Sequence, residues 1–299
     1  MSTSYSPKNE SLVVELHKPL PIGRAIFSSG MTAMVFILTA LAVLPLLAIL
    51  FEICHQGISH LKPEIFVSLP APVGLEGVPN GFANAILGTL IMVGIASLLS
   101  IPFGLMTGIF LAEFGQGSAV AGFVRFITTV LTGVPSIIAG VFAYGVIVLN
   151  PVTKGFSALA GGFALSILML PIVAITTEQS LKLVPTNQRL ASAALGASRL
   201  QTTFRIVVAT AIPAVTTGIL LAVARAVGET APLIFTALNS QIWPQGLLSP
   251  TASLSVLIYN YANSPDVEQN QLAWTASIVL VSLVLFISII SRLVTRRRL

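Results

Sequence analysis

Two oppositely charged residues, Arg225 and Glu229, stand four positions apart in an otherwise apolar stretch of the sequence. In a helix this spacing puts both side chains on one face and within reach of each other. A charged side chain in the middle of a bilayer costs roughly 2.5–3.5 kcal/mol on insertion scales, and arginine does not release its proton. Its planar guanidinium suits a tetrahedral oxyanion. Glu229 can neutralise Arg225 at rest, and it can accept a hydrogen bond from an oxyanion that keeps a proton, as phosphate does at neutral pH and sulfate does not. The pair therefore predicts an oxyanion site, with a structural ion pair between helices as the alternative.

A second segment, from Thr132 to Gly140, combines a proline with two glycines inside an apolar stretch. Pro135 removes a helical hydrogen bond, and Gly133 and Gly140 loosen the helix around it. Freed backbone groups within a membrane span are tolerated where they line a cavity, and the N-terminus of a half-helix there would favour an anion. Close packing of helices through small residues is the alternative.

A third segment, within residues 183–205, predicts a short helix that begins near Thr186. Thr186 or Asn187 can cap its N-terminus, and Gly196 can end it in a left-handed turn. One small apolar face of this helix carries Leu190, Ala194 and Ala197. Such a face suits docking into a groove of a partner protein, and an ordinary amphipathic loop at the membrane surface is the alternative.

The composition decides what surrounds these segments. Of the 299 residues, 55% are hydrophobic and only 8% are charged, whereas a soluble domain carries roughly a quarter charged residues. Most of the surface must therefore face hydrocarbon, where the backbone satisfies its hydrogen bonds within helices or a closed barrel. The apolar runs are long and do not alternate, which favours helices. The sequence thus predicts an all-α integral membrane protein with six transmembrane helices, at about 30–52, 83–112, 120–149, 157–182, 207–238 and 271–294.

The basic residues predict the orientation, because cytoplasmic loops collect lysine and arginine. With both termini in the cytoplasm, 12 of the 15 basic residues lie inside, while Lys62 and Lys154 lie outside and Arg225 lies within a span. We expect a cytoplasmic N-terminal tail at 1–29, a permease-like membrane domain at 30–294, and a basic cytoplasmic tail at 295–299. The outer loops would then be about 53–82 and 239–270, and the inner loop about 183–205.

Other kinds of site have little support in the sequence. A Gly-rich phosphate loop with its lysine is missing, so any ATP must be hydrolysed by another chain. His55 and His60 lack a third metal ligand, and the single Cys54 excludes an internal disulfide. Glu178 and Lys182 predict a solvated ion pair at the inner end of the fourth span. We expect no catalytic residue, no metal site, no cofactor bound by this chain and no nucleic-acid partner.

The inner loop resembles the EAA loop of importer permeases of the ATP-binding-cassette (ABC) class. Gly196 and the isoleucine ten residues later, Ile206, match that pattern, and Ala191 and Ser192 fit its small positions. Leu190 stands where the family usually has glutamate. The resemblance implies a type I ABC importer permease fold. It also implies that the loop docks onto a separate ATPase through Arg189, Leu190, Ala191, Ala194, Gly196 and Arg199.

The run from Ala224 to Leu233, with Arg225, Gly228, Glu229 and Pro232, resembles the signature of PstA-like permeases in phosphate importers. The segment around Pro135 is similar to the same family. The resemblance implies that the chain forms half of the pathway of an ATP-driven phosphate importer in the bacterial inner membrane. The implied pathway residues are Pro135, Ser136, Arg225, Glu229 and Thr230. The implied partners are inorganic phosphate, a second, PstC-like permease, a dimer of PstB-like ATPase subunits that binds ATP and Mg²⁺, and an extracytoplasmic PstS-like phosphate-binding protein.

Two other functions stay open at this point. One is a related permease for another oxyanion, molybdate or sulfate. The other is a stand-alone secondary carrier or channel, in which Arg225 and Glu229 form a proton-coupled gate and no ATPase is needed.

Overall fold

The computed structural model describes residues 21–75, 77–151, 153 and 155–296, and all regular secondary structure in these residues is helical. The α-helices of the first half are α1 (Ile22–Ile58), α2 (Ala83–Ile109), α3 (Ala119–Gly133), α4 (Ser136–Ala143) and α5 (Ala158–Lys182). Those of the second half are α6 (Thr186–Ala194), α7 (Arg199–Thr202), α8 (Val208–Val227), α9 (Ala231–Ile234), α10 (Leu254–Ala262) and α11 (Val267–Arg296). A 3₁₀ turn covers Pro63–Phe66, and π-helical segments cover Phe110–Phe114, Tyr144–Val148 and Thr203–Val207.

The hydropathy of these helices agrees with a polytopic membrane protein. Within the described residues, five helices are long and apolar enough to cross a bilayer, and a sixth span results if α3 and α4 count as one bent span. The two are inclined by 104° at a short break. The all-α membrane fold is therefore confirmed, and the third apolar segment is broken where Pro135 removes a helical hydrogen bond.

Two of the predicted span boundaries differ from the structure. The first helix begins at Ile22 rather than near residue 30. The fifth span runs from Arg199 to Val227 rather than from 207 to 238. It ends early because Gly228 closes the last turn and Pro232 has no amide hydrogen with which to continue a helix. Predictions for residues 1–20, Lys154 and the arginines at 297–298 lie outside the described residues.

The chain divides into two compact units, Met1–Glu52 and Ile53–Leu299, with the boundary inside α1. The described part of the first unit is the apolar helix up to Glu52. All packing described below lies within the second unit.

The centre of the second unit is the contact between α2 and α5, and glycines allow these two helices to approach closely. A Cβ atom built on Gly104 would lie 2.8 Å from the Cβ of Val173, and one on Gly108 would lie 2.5 Å from the Cβ of Thr177. Buried side chains of Met92, Leu165, Met169 and Val173 fill the adjoining core. Close packing through small residues is a usual way for helices to associate in a membrane.

The segment after α9 returns to the end of this helix pair at which α5 begins. The first amides of an α-helix have no partner within the helix, and here those at the start of α5 are satisfied by this segment. The amide of Ser157 donates to the carbonyl oxygen of Thr236, and that of Leu159 donates to the carbonyl oxygen of Leu247, both at 2.9 Å. The predicted outer loop 239–270 thus contains packed structure, including the buried Leu254 and Leu257 of α10.

The glycine contact gives a stability prediction. We expect Gly108→Ala to destabilise the protein by about 1–3 kcal/mol, because the new methyl group overpacks the α2–α5 contact. Gly94→Ala, on the same helix, is the matched control, since a Cβ there has no neighbour within 4 Å; it gains helix propensity without a clash. Thermal unfolding in detergent measures both variants, and equal melting temperatures would contradict the prediction.

Candidate functional site

Arg225 and Glu229 do form an ion pair, but not on a continuous helix. Arg225 lies in the last turn of α8, which ends at Val227, and Glu229 lies in the break between α8 and α9. The Nε atom of Arg225 is 3.4 Å from Oε1 of Glu229. The Glu229 side chain is 16% exposed and the Arg225 side chain 59% exposed. The carboxylate is therefore held inside the protein, and the guanidinium extends outward from it.

Hydrogen bonds to neighbouring helices fix the position of Glu229. Its carbonyl oxygen accepts a hydrogen bond of 2.8 Å from Oγ of Ser255 in α10. The preceding residue of α10, Leu254, donates its amide to Oγ1 of Thr89 in α2 at 2.9 Å. Glu229 is thus connected through α10 to the central helix α2.

An apolar wall lies behind the ion pair. Leu168, Met169 and Ile172 of α5 border Arg225 and Glu229, and the gap between them has no space for a water molecule. The guanidinium can therefore meet water or a ligand only on the side that faces away from α5.

The second predicted segment lies directly against the first. A Cβ atom built on Gly140 of α4 would lie 2.6 Å from the Cα of Pro232 in α9, so only glycine allows this approach. The contact is made at Gly140, whereas Pro135 and Ser136 lie at the break, one turn earlier, where Pro135 is the N-terminal cap of α4. Thr230 is the N-terminal cap of α9 and directly follows Glu229. The structure thus brings together two motifs that are about 90 residues apart in the sequence.

The predicted inner loop folds as two short helices, and we call residues 186–202 the coupling segment after the role that the resemblance implies. Its turn at Gly196 is left-handed, with φ +79°, as predicted. The N-terminal cap is Pro185 rather than Thr186 or Asn187. Of the predicted apolar face, Leu190 is 64% exposed and Ala197 is half-buried, and Leu195, which was not part of that face, is 89% exposed. The small residues Ala191 and Ala194 are exposed as well.

The two arginines of the coupling segment bind residues outside the segment, although the resemblance groups them with the docking residues. Nη2 of Arg189 donates at 2.8 Å to Oε1 of Glu113 and at 2.8 Å to the carbonyl oxygen of Leu181. Arg189 also donates through Nη1 to the carbonyl oxygen of Val184. Arg199 donates to the carbonyl oxygen of Glu113. The exposed face of this segment thus carries leucines and alanines, and the arginines attach the segment to the rest of the protein.

Glu113 was not singled out in the sequence, although a signal was present. It is the single acidic residue between Glu76 and Glu178, and it lies in the π-helical end of α2 with its side chain 9% exposed. A lone acid in so long an apolar region has to find a cation, because an unpaired buried charge is costly.

The predicted solvated pair of Glu178 and Lys182 is wrong in its environment. The Glu178 side chain is only 8% exposed, and its Oε1 lies 2.6 Å from Nζ of Lys182. The same oxygen lies 2.6 Å from Nη2 of Arg125 in α3. The buried carboxylate of Glu178, near the C-terminal end of α5, thus ties α5 to α3, which the spacing within α5 alone could not reveal.

Comparisons with known proteins agree on one kind of protein. The family model described as "Binding-protein-dependent transport system inner membrane component" matches residues 100–299. The phosphate transport system permease protein PstA of Haemophilus influenzae is 42% identical over 246 residues, which cover 82% of this chain and 85% of that protein. The PstA protein of Yersinia pestis is 39% identical over 85% of this chain and 84% of its own length. PstA 1 of Mycobacterium tuberculosis strain CDC 1551 is 34% identical over 99% of both chains.

Solved structures show the same fold at lower identity. A chain of a bacterial alginate ABC transporter, in complex with an alginate-bound periplasmic protein, has a TM-score of 0.65 at 15% identity. The match covers 92% of this chain and 97% of that one. A chain of the inward-facing MetNI methionine ABC transporter has a TM-score of 0.58 at 20% identity, over 71% of this chain and 94% of that one.

The buried carboxylate of Glu178 gives a stability prediction. We expect Glu178→Gln to destabilise the protein by roughly 1–3 kcal/mol, because two cations lose their buried acceptor. Lys182→Gln should cost less than about 1 kcal/mol, since Lys182 is half exposed and Glu178 keeps Arg125. Thermal unfolding in detergent compares the two variants, and an equal or larger loss in Lys182→Gln would refute this role for Glu178.

Proposed function

Because this chain belongs to the binding-protein-dependent transport system inner membrane component family, and within it to the PstA phosphate permeases, we propose how its residues take part in transport. The chain is the permease subunit of an ATP-driven phosphate importer and a multi-pass protein of the bacterial inner membrane. It is a transport subunit and not an enzyme, and ATP hydrolysis lies on a separate subunit of the transporter.

Arg225 is the proposed contact for phosphate in the membrane. The observation that supports this role is that the Arg225 side chain is 59% exposed beside the apolar α5, while its partner Glu229 is largely buried. An exposed guanidinium is costly in hydrocarbon, so this face of α8 borders a hydrated pathway rather than lipid. The pathway is completed by a second permease subunit, which is PstC-like.

Glu229 makes the Arg225 contact selective for phosphate over other oxyanions. Without substrate it neutralises Arg225 across 3.4 Å. With substrate its carboxylate accepts a hydrogen bond from a phosphate oxygen that carries a proton, while the guanidinium fork binds the other oxygens. Sulfate and molybdate lack that proton at neutral pH, so Glu229 repels them. The site binds weakly, because an ion that is conducted must also be able to leave.

The coupling segment is the proposed docking site for the ATPase, a dimer of PstB-like subunits that holds ATP and Mg²⁺. This chain binds no cofactor of its own. Since Leu190 replaces the usual glutamate, docking relies on the exposed Leu190 and Leu195 rather than on a salt bridge. Both termini lie in the cytoplasm together with this segment. The phosphate-binding protein, PstS-like, delivers phosphate to the opposite side, at residues 53–82 and 239–270.

Transport then follows from the geometry at the broken span. ATP binding closes the ATPase dimer and moves the coupling segment. The movement reaches α4 and α9, which are in contact at Gly140 and Pro232, and the pathway beside Arg225 changes its access. Pro135, Ser136 and Thr230 belong to this moving part, because they lie at the first residues of α4 and α9.

The pathway role gives the most direct test. We expect Arg225→Ala to lower phosphate uptake at least tenfold, because the bidentate contact to the oxyanion is lost, and Arg225→Lys to retain part of it. Arg292→Ala is the control, since it removes an exposed arginine from α11 instead. Uptake of labelled phosphate into liposomes that contain the whole transporter measures the effect, with co-purification of the subunits as proof of assembly.

Uptake that stays unchanged in assembled Arg225→Ala would remove Arg225 from the pathway. Glu229→Gln separates phosphate from other oxyanions, because a neutral amide no longer repels sulfate. We expect sulfate to compete better with phosphate in that variant than in the wild type. A wild-type protein that transports molybdate or sulfate as well as phosphate would favour the more general oxyanion permease.

The docking role predicts a selective loss of one partner. We expect Gly196→Asp to release the ATPase while the second permease stays bound, because the left-handed turn shapes the exposed face. Gly74→Asp is the matched control: Gly74 also has a positive φ, +87°, but lies in the predicted outer loop. A pull-down of the tagged chain in mild detergent makes the comparison. If the wild type purifies alone and still moves phosphate in liposomes, it acts as a secondary carrier instead.

A further inference from the structure

The coupling segment is built as a stiff unit. Oγ of Ser192 and Oγ1 of Thr202 share a buried hydrogen bond of 2.8 Å that joins α6 to α7. The amide of Ala197 donates to the carbonyl oxygen of Ser192 at 3.2 Å, across the turn. Ser198 and Gln201 form a reciprocal capping box at the start of α7. A displacement of the docking face therefore moves the whole segment, including the arginines on its inner side.

Both arginines of this unit contact the same residue, Glu113, in the π-helical segment that directly follows α2. Arg189 binds the carboxylate of Glu113 and Arg199 binds its backbone carbonyl. The guanidinium of Arg199 also lies 5.4 Å from the centre of the Phe114 ring, within the range of a cation–π contact. An open cleft of about 350 Å³ lies beside these contacts with Glu113, which we call the Glu113 joint. The cleft is lined in part by Gln116, Ala193 and Ala197. Arg189 and Arg199 also line this cleft, and they connect the coupling segment to the segment that follows α2.

Arg189 also connects the Glu113 joint to α5. Arg189 donates to the carbonyl oxygens of Leu181 and Val184, at the end of α5. One guanidinium thus binds the inner ends of both central helices. These two helices are in close contact at Gly104 and Gly108 and again at Gly162, where a Cβ atom would lie 2.6 Å from the Cβ of Ile95. A force applied at Glu113 therefore moves them together. The wall behind Arg225 is part of α5.

We propose that Glu113 is the positioning residue that transmits motion of the docked ATPase to the central helix pair and so to the phosphate pathway. This inference rests on the proposed function. It adds that coupling runs through the Glu113–Arg189 contact into α2 and α5, in parallel with the continuous chain from α7 into α8. The π-helical segment at residues 110–114 supports this role, because such insertions in helices are frequent at functional sites.

A purely structural role of Glu113 and a role in transmitting motion predict different effects when Glu113 is substituted. If Glu113 only stabilises the fold, its substitution lowers the yield of assembled transporter and leaves each assembled complex fully coupled. If Glu113 transmits motion, assembled complexes continue to hydrolyse ATP but move less phosphate for each ATP. The ratio of phosphate transported to ATP hydrolysed therefore separates the two roles.

The experiment uses the complete transporter in liposomes, with its binding protein and with ATP on the ATPase side. We compare the wild type with Glu113→Gln, Arg189→Gln and the double variant, and with Arg205→Gln as the control. Arg205 is an exposed arginine of the π-helical segment that follows α7. We expect the ratio to fall at least tenfold in both single variants, with the ATPase still bound, and to stay at the wild-type value in the control.

The double variant tests whether the two residues act through one contact. We expect its ratio to equal that of Arg189→Gln alone, since residues that act through one contact give non-additive losses. Arg189→Lys should retain an intermediate ratio, because one ammonium group cannot replace the fork that binds a carboxylate and two carbonyls. This milder variant also serves if Glu113→Gln does not assemble.

Three results would overturn the inference. The first is a wild-type ratio in assembled Glu113→Gln or in Arg189→Lys. The second is multiplied losses in the double variant, which would mean that the two residues act independently. The third is release of the ATPase by Glu113→Gln, which would assign Glu113 to docking. Each of these leaves the proposed function intact, whereas a wild-type complex that moves no phosphate contradicts the proposed function itself and this inference with it.

Discussion

The structure depends on one constraint, which is that a carboxylate buried among apolar helices has to be paired with a cation. Three glutamates of the described residues meet it in the same way. The side chains of Glu113, Glu178 and Glu229 are at most 16% exposed, and each accepts a contact from an arginine that is more exposed than its partner. The carboxylates thus lie in the interior, and each is paired with a cation that is closer to the surface.

This shared arrangement serves three different purposes along the protein. At Glu178 the arginine and a lysine join α3 to α5. At Glu113 the arginine attaches a stiff surface segment to the centre of the molecule. At Glu229 the arginine extends into the space where we place the substrate. The pairs differ in what the arginine belongs to or faces: it belongs to another helix at Glu178, it belongs to the surface segment at Glu113, and it faces the proposed phosphate pathway at Glu229. In the function that we propose, the same kind of ion pair thus serves assembly at Glu178, coupling at Glu113 and phosphate passage at Glu229.

Much of the fold follows from one-dimensional signals, and much of the site does not. Hydropathy predicted the helical spans, Pro135 the break in the third, and Gly196 the left-handed turn, because each depends on neighbours within a few residues. The pairing of Arg225 with Glu229 was visible for the same reason. The contacts of Glu113 with Arg189 and of Glu178 with Arg125 join residues 76 and 53 positions apart, and only packing reveals them. The early end of α8 was missed because its apolar composition continues beyond Val227.

The break between α3 and α4 lowers the energy that is needed to rotate α4 relative to α3. A continuous helix that bends must stretch or lose backbone hydrogen bonds, but at Pro135 one of these bonds has already been given up. Rotation about this point has a low enthalpic cost, and α4 can swing as a short rigid rod. Because Gly140 leaves no gap to Pro232, the rod cannot swing alone. The half-helix α4 and the turn that follows Glu229 must therefore rotate together as one rigid unit. The pivot of this rotation lies at Pro135, in one motif, and the far side of the unit lies at Pro232, in the other.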